Sequence, residues 1–186
     1  MKRIFDLLFA IALILFLLIP MILVAIAVRL TSKGSILYWS NRVGKNNIIF
    51  KMPKFRSMLI ETPPIATHLL SNPKNYLSPI GGFLRRTSLD ELPQLFSVLN
   101  GNMSFVGPRP ALYNQGELIA LRTEKNIDKL LPGITGWAQV NGRDEISIYD
   151  KVRLDLEYSR HQSFWLDIKI VWMTFLKVIK RDGVTH

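Results

Sequence analysis

Residues 7–28, LLFAIALILFLLIPMILVAIAV, carry no charged side chain. As a straight helix this run of about 22 residues would be roughly 33 Å long, enough to cross the hydrocarbon core of a bilayer. It is longer than the roughly 7–15-residue apolar core of a signal peptide, and RLTSKGS follows it with no Ala-x-Ala pattern. A membrane-embedded helix is therefore predicted here. The pattern then changes. Residues 35–58, SILYWSNRVGKNNIIFKMPKFRSM, read as two β-type runs around the turn signal GKNN, a hairpin. Residues 61–79 hold Pro63, Pro64, Pro73 and Pro79 among Ser and Asn and are expected to be mostly loop. In 92–99, Leu92, Leu95, Phe96 and Leu99 fall at i, i+3, i+4 and i+7, one face of a helix that Gly101 should end. GPRP at 107–110 and the glycine-rich PGITGWAQVNGR at 132–143 are expected to be loops. Residues 114–128 read as a polar helix, and 146–160 and 163–181 as two more.

In the last of these, Trp165, Ile168, Trp172, Phe175, Leu176 and Ile179 recur at helical spacing, interrupted by Lys169, Lys177, Lys180 and Arg181. The pattern suits a core helix with one solvated face, or a helix lying at the headgroup level of a membrane. The apolar N-terminal segment favours the second. Lys2 and Arg3 precede that segment, and Arg29 and Lys33 follow it, so the positive-inside rule assigns no orientation. Pro20 removes a backbone hydrogen bond past its middle and kinks a helix there. On these residues a spanning helix and a helix that bends at Pro20 and returns to its face of entry are both open.

The length, 186 residues, suits one domain plus an appendage. Twenty-four Lys and Arg against 14 Asp and Glu leave a formal charge of +10, which favours an anionic partner: nucleic acid, acidic lipid or a phosphorylated substrate. With no cysteine, disulfides, thiolate zinc sites and cysteine nucleophiles are excluded. His68, His161 and His186 are scattered, so a histidine metal cluster is not expected.

The segment LRRTSLDELPQLFSVLNG, 84–101, sets Asp90 and Glu91 side by side near a predicted helix start. SLDE matches a capping box with Ser88 at the cap. Pro93 would then be the fifth helical residue, and a start nearer Pro93 avoids that cost. Either start puts both carboxylates at the positive end of a helix dipole, which favours ionisation. Adjacent carboxylates can bind a divalent cation, or one can act as a nucleophile. Lys54 and Arg56 in PKFRSM, Arg85 and Arg86, Arg109 in GPRP and Arg143 in NGR all lie in or beside loops. Arginine pairs bidentately with phosphate oxygens. Any one of these cations alone reads as a solvated surface charge. Four such motifs, bounded by Gly and Pro, point to an anionic ligand. Gly133, Gly136 and Gly142 are expected to let backbone amides approach it. There is no P-loop and no GxGxxG. A membrane-tethered basic module for nucleic acid or an acidic partner is the competing reading. Against it, the basic loops lack the interleaved aromatics of a stacking platform.

KFRSM, LRRTSLDELPQL, MSFVGPRP, PGITGWAQVNGR and WLDIKI, in this order and over nearly the whole chain, resemble the bacterial sugar transferases. These are the small monotopic phosphoglycosyl transferases that begin glycan assembly on a polyprenyl phosphate, and the length resembles their minimal catalytic form. The resemblance implies an α+β, mostly helical fold. A re-entrant membrane helix would occupy 1–33 and a catalytic domain 34–186, with a small β-hairpin and amphipathic interfacial helices around a cytoplasmic active site. It implies transfer of a sugar 1-phosphate from a UDP-sugar to undecaprenyl phosphate in the bacterial inner membrane, with UMP released. Such a step opens the assembly of O-antigen, capsule, exopolysaccharide or glycoprotein glycans. By resemblance, Asp90 is the nucleophile of a covalent phosphosugar intermediate and Glu91 helps hold Mg2+. Lys54, Arg56, Arg86, Arg109, Gln139 and Arg143 are expected on the substrate, and Pro20 at the membrane-helix break. No nucleic acid is expected. Three positions depart from the family pattern. Ile19 precedes Pro20 where many relatives have serine, Asn102 replaces a frequent aspartate and is not expected to ligate metal, and Ser40 stands where glutamine is frequent.

Overall fold

The uncharged run forms most of α1, Lys2–Thr31, a helix that continues through Pro20. In this computed structural model the described residues are 2–63, 72–142 and 146–180. Pro64, His68, Arg143, Arg181 and His186 lie outside them. Ala10, Ile14, Leu17, Met21, Val24 and Val28 are buried or half-buried at alternating spacings of four and three, a single stripe along α1. The N-terminal part of the stripe packs on Leu95, Val98 and Phe105, and the C-terminal part on Phe55 and Leu84. The opposite face is apolar and exposed, with Leu8, Leu15, Phe16, Ile19 and Leu23 outward. α1 thus lies along the rest of the chain at both ends, and it is long and apolar enough to cross a membrane.

Polar bonds fix both ends of α1. Buried Asp6 accepts the Phe105 N–H at 3.2 Å. Arg3 donates to Val98 O at 2.6 Å and Leu99 O at 2.8 Å, filling carbonyls that the end of α3 leaves open. Lys2 donates to Val106 O at 3.1 Å and pairs with Asp167, which also accepts from Tyr158 at 2.7 Å. Burial, and then the bond to Asp167, push the Tyr158 phenol well above its ordinary pKa, so it remains a donor. At the other end, Arg56 donates to Ser32 O at 3.1 Å and Ser32 Oγ at 2.8 Å.

The hairpin forms as GKNN predicts. β1, Leu37–Val43, pairs antiparallel with β2, Ile49–Phe55, from Leu37↔Phe55 to Val43↔Ile49. Asn46 and Asn47 turn the chain at φ of 55° and 60°, a region asparagine tolerates. The helices that follow are α2, Gly81–Arg86; α3, Gln94–Leu99; α4, Gly116–Glu124; α6, Ile148–His161; and α7, Phe164–Lys180. Gly101, at φ 82°, follows α3 and stops it, as expected.

Two expectations need correction. PGITGWAQVNGR is not all loop. Gly133–Thr135 is a strand, β4, parallel to β3, Ser104–Val106, and Trp137–Asn141 is a short helix, α5. Its glycines serve backbone packing rather than ligand approach: a Cβ at Gly133 or Gly136 would overlap the Gly107 backbone, and one at Gly142 would meet Ile146. Phe96 was expected inward but is 45% exposed. α3 instead turns Gln94, Leu95, Ser97 and Val98 inward. α7 buries Asp167 and Ile170 and leaves Trp165 and Trp172 exposed, at 80% and 59%. Its tryptophan face is therefore uncovered among the described residues.

Candidate active site

Asp90 and Glu91 occupy the 3-10 turn Leu89–Glu91 between α2 and α3. The capping box does not form. Ser88 sits in the left-handed region at φ 55°, and its side chain caps nothing. α3 begins after Pro93, whose φ of −62° suits a helix entry, so the proline escapes the cost of an interior position. The turn sends the neighbouring carboxylates into different settings. Asp90 is buried, and Glu91 is half-buried. Lys54 shares the β2 face of buried Phe50 and Met52, as the period of two requires. Its Nζ lies 2.6 Å from Glu91 Oε1. Arg109 Nη2 approaches the same oxygen at 3.3 Å.

This geometry separates the two acids electrostatically. Burial pushes Asp90 up to about 6; Glu91 adds to the rise, while Lys54, Arg85 and Arg109 oppose it. The expected helix-dipole effect does not dominate, because α3 has only six residues and burial outweighs it. Burial would raise Glu91 too, but charge and hydrogen bonds from Lys54 and Arg109 overcome it and hold this acid well below the usual carboxylate range. One turn therefore carries a fixed, ion-paired glutamate and an aspartate without a hydrogen bond among the described residues.

Arg109 is placed by a loop whose backbone is held on both sides. Gly107 N–H donates to Thr135 O at 2.9 Å, and Gly133 N–H to Pro108 O at 3.0 Å. Arg122 donates to Arg109 O at 2.8 Å, Arg42 to Pro110 O at 3.1 Å, and Val43 N–H to Ala111 O at 2.9 Å. Arg122 is itself pinned by buried Asp155, through Nε at 3.0 Å and Nη2 at 2.6 Å. Burial raises the Asp155 pKa against the pull of Arg122. Ser40, one of the departures from the family pattern, is buried and accepts from Arg42 Nε at 3.0 Å, so it steadies the same loop.

The structure brings Lys54 and Arg109 to the carboxylate pair. Arg56 is buried and its guanidinium donates to Ser32 at the end of α1. Arg86 is exposed. Its neighbour Arg85 is the one that acts on Asp90. Gln139 donates to Ile134 O at 3.1 Å, and its Oε1 is buried without a partner. Arg143 lies outside the described residues. Asn102 occupies an exposed turn at the far end of α3 from Asp90, and Pro20 is half-buried within α1. Sequence reasoning did not single out Arg122 and Asp155, and it weighed Arg85 without selecting it. A signal for Arg85 was present: Gly81, Leu84 and Arg85 fall at i, i+3 and i+4, one face of α2, with the first two buried.

The acids also fit a hard divalent cation. Both cationic partners bind Oε1 of Glu91, leaving its second oxygen and the Asp90 carboxylate outside those pairs. No group of three or more His, Cys, Asp or Glu able to hold a metal occurs among the described residues. The protein would thus supply one or two carboxylates, with waters and phosphate oxygens filling the remaining positions, a usual arrangement for magnesium.

A family model described as bacterial sugar transferase matches residues 1–181. An undecaprenyl-phosphate glucose phosphotransferase of Komagataeibacter xylinus is 44% identical over 192 residues, covering 97% of this chain and 35% of that protein. The UDP-glucose:undecaprenyl-phosphate glucose-1-phosphate transferase of Escherichia coli (strain K12) is 43% identical over 186 residues, covering 95% of this chain and 40% of its own length. The chain thus spans well under half of these two relatives. An uncharacterized sugar transferase, EpsL, of Bacillus subtilis (strain 168) is 38% identical, with 99% of this chain and 90% of that protein aligned.

Proposed function

The chain belongs to the bacterial sugar transferase family, and from that premise we propose that it moves a sugar 1-phosphate from a UDP-sugar to undecaprenyl phosphate, releasing UMP. The names of the Komagataeibacter and Escherichia relatives support this class of reaction. The carrying observation is the asymmetry of one turn: Glu91 ion-paired and held, Asp90 buried, raised to about 6 and without a hydrogen bond among the described residues.

In this mechanism an Asp90 carboxylate oxygen attacks the sugar-bearing phosphorus of the donor. The bond from that phosphorus to the bridging oxygen breaks, and UMP leaves with that oxygen and its electron pair. The product is an aspartyl phosphosugar, a mixed anhydride that remains reactive. A phosphate oxygen of undecaprenyl phosphate then attacks the same phosphorus, a diphosphate linkage forms, and Asp90 leaves as the carboxylate. A raised pKa helps the attack, because a more basic carboxylate is a better nucleophile and Asp90 is still largely ionised at neutral pH. Lys54 and Arg109 hold Glu91 and bring positive charge to the turn, and Arg85 adds to it. Glu91, with Asp90 beside it, would hold Mg2+, which supplies charge neutralisation on the diphosphate when bound.

The membrane setting follows from α1. We place the helix in the cytoplasmic face of the bacterial inner membrane, entering and leaving on one side without the expected break at Pro20, through which α1 continues. Two observations support this. Both of its ends bond to the same body of protein, through Lys2 and Arg3 at one end and through Ser32 and Arg56 at the other. Its outward face is apolar between them. A helix crossing the bilayer would carry one of those polar attachments to the far side. The exposed tryptophans of α7 suit the headgroup layer beside it.

The test is direct. Full chain in lipid nanodiscs with undecaprenyl phosphate and Mg2+ is offered a panel of UDP-sugars. UMP and a lipid-linked sugar diphosphate are expected together with at least one donor, and EDTA should abolish both. No UMP with any donor, or UMP without lipid product, would refute the reaction.

A further inference from the structure

Arg109 reaches Glu91 on a long side chain, with Nη2 at 3.3 Å from Oε1. Where such a guanidinium ends depends on where its backbone is set. The bonds at Gly107, Pro108, Pro110 and Ala111 hold its neighbours. Arg122 holds Arg109 itself, through Nη1 to Arg109 O at 2.8 Å. Arg122 comes from α4 and takes its own direction from Asp155 on α6. Its Nε at 3.0 Å and Nη2 at 2.6 Å both meet Asp155 Oδ2. A guanidinium is planar, so two of its donors fixed on one acceptor also fix where the third points.

This pair is weak grounds for stability. Its side chains are only 12% and 2% exposed, so both charges lose most of their hydration. An apolar pair of similar shape is often as stable or more so. The contact of α4 with α6 has an apolar basis of its own in Leu118, Ile127 and Val152. What an apolar pair could not supply is the donor on Arg109 O.

We propose that Arg122, oriented by Asp155, is a positioning residue: it fixes the backbone of Arg109 so that the Arg109 guanidinium meets both Glu91 and the donor diphosphate. The inference rests on the proposed reaction and adds two residues that never touch the substrate. They act only through Arg109. A displacement of about 1 Å in a reacting group can cost on the order of a hundredfold in rate, so a bond behind the site can matter to it.

The test replaces the pair by Arg122→Met with Asp155→Leu, which keeps the shape and removes both charges together. Full chain in nanodiscs is titrated with UDP and Mg2+ by calorimetry, which needs no turnover. Arg109→Met should weaken UDP about tenfold, the scale of one charged hydrogen bond. The apolar pair should weaken it by a similar factor while melting no lower than wild type. Added to Arg109→Met, the pair should change binding by less than about twofold, because its route of action is already gone. In the assay with undecaprenyl phosphate, the pair should raise KM for the UDP-sugar and leave KM for the lipid within about twofold. A merely structural pair would lower the active fraction and leave both KM values unmoved. Should the apolar pair fail to fold, Arg122→Lys carries the test. It keeps a countercharge for Asp155 but loses the planar fork, and should weaken UDP about threefold or more. Unchanged UDP binding in the folded pair or in Arg122→Lys would overturn the proposal. So would a wild type or an Arg109→Met protein whose UDP binding does not depend on Arg109, or a pair that costs its full factor again in the Arg109→Met protein. UMP production by wild type with UDP binding unmoved in the pair would overturn the positioning role and leave the reaction standing. The non-additive pattern in a protein that turns over no UDP-sugar would support the positioning role and refute the reaction.

Discussion

Lys54 Nζ lies 2.6 Å from Glu91 Oε1, and this contact couples the hairpin to the turn that carries Asp90. Lys54 is also the strongest favourable charge on Asp90. Its removal should leave Glu91 short of a partner and push Asp90 higher. Lys54→Met should cut kcat/KM by about a hundredfold or more, the scale of losing one positioned charge in a site. The acidic limb of the pH–rate profile should move to higher pH. A loss of rate with the limb unmoved would mean that Lys54 acts only on substrate.

Asp90 sets a pH dependence of rate and of stability. For the wild type, kcat/KM should rise with pH through an apparent pKa of about 6 as Asp90 ionises. The folded-state value lies above the ordinary aspartate value of 3.8. Between those values the native protein keeps a proton that the unfolded chain has released. Stability from this group is therefore fully present below about pH 4 and falls away as pH rises to about 6. The cost is at most about 3 kcal/mol. Thermal unfolding should show Asp90→Asn more stable than wild type at pH 7.5, with the difference shrinking at pH 4. Equal differences at both pH values would contradict the buried, raised carboxylate.

Much of this site was legible beforehand, and the failures have physical causes. The GKNN turn, the α3 stop at Gly101 and the long apolar helix rest on local chemistry, and they appear where expected. The Asp90–Glu91 pair was visible as a repulsive pair of neighbours, and of the two helix starts left open, the structure takes the one nearer Pro93. The settings of the two acids were not visible, because burial and Lys54 arrive from other elements. The glycines misled for a related reason. Gly133 and Gly136 lie against Gly107 across a parallel strand pair, a contact with no local signature. Arg109 could be read as a phosphate ligand, but the loop that aims it depends on Arg42, Arg122 and Asp155, far apart in sequence.

The attachment of α1 gives a prediction about stability. Asp6 is 2% exposed and accepts the Phe105 N–H from within β3, the strand that leads into GPRP. Asp6→Ala strands that buried donor, and the loss should be about 1–3 kcal/mol. The Asp6→Asn side chain still offers an acceptor and should recover part of it. Thermal unfolding in nanodiscs measures both. Equal melting of Asp6→Ala and wild type would show that the contact contributes nothing.

Topology can be checked independently of chemistry. Single cysteines at positions 2 and 33, in a chain with no native cysteine, are labelled with an impermeant reagent in intact cells and in inverted vesicles. Both should react only from the cytoplasmic side. Reaction of position 2 alone from the periplasmic side would mean that α1 crosses the membrane.

The covalent role of Asp90 is the central claim, and acceptor-free chemistry isolates it. Purified full chain is mixed with UDP-sugar and Mg2+ in the absence of undecaprenyl phosphate, and intact mass is measured alongside UMP. The account predicts a burst of about one UMP per protein, a mass increase equal to one sugar phosphate on the peptide containing Asp90, and neither in Asp90→Asn. An unmodified wild-type mass, with UMP released only after undecaprenyl phosphate is added, would contradict it and point to direct attack by the lipid phosphate.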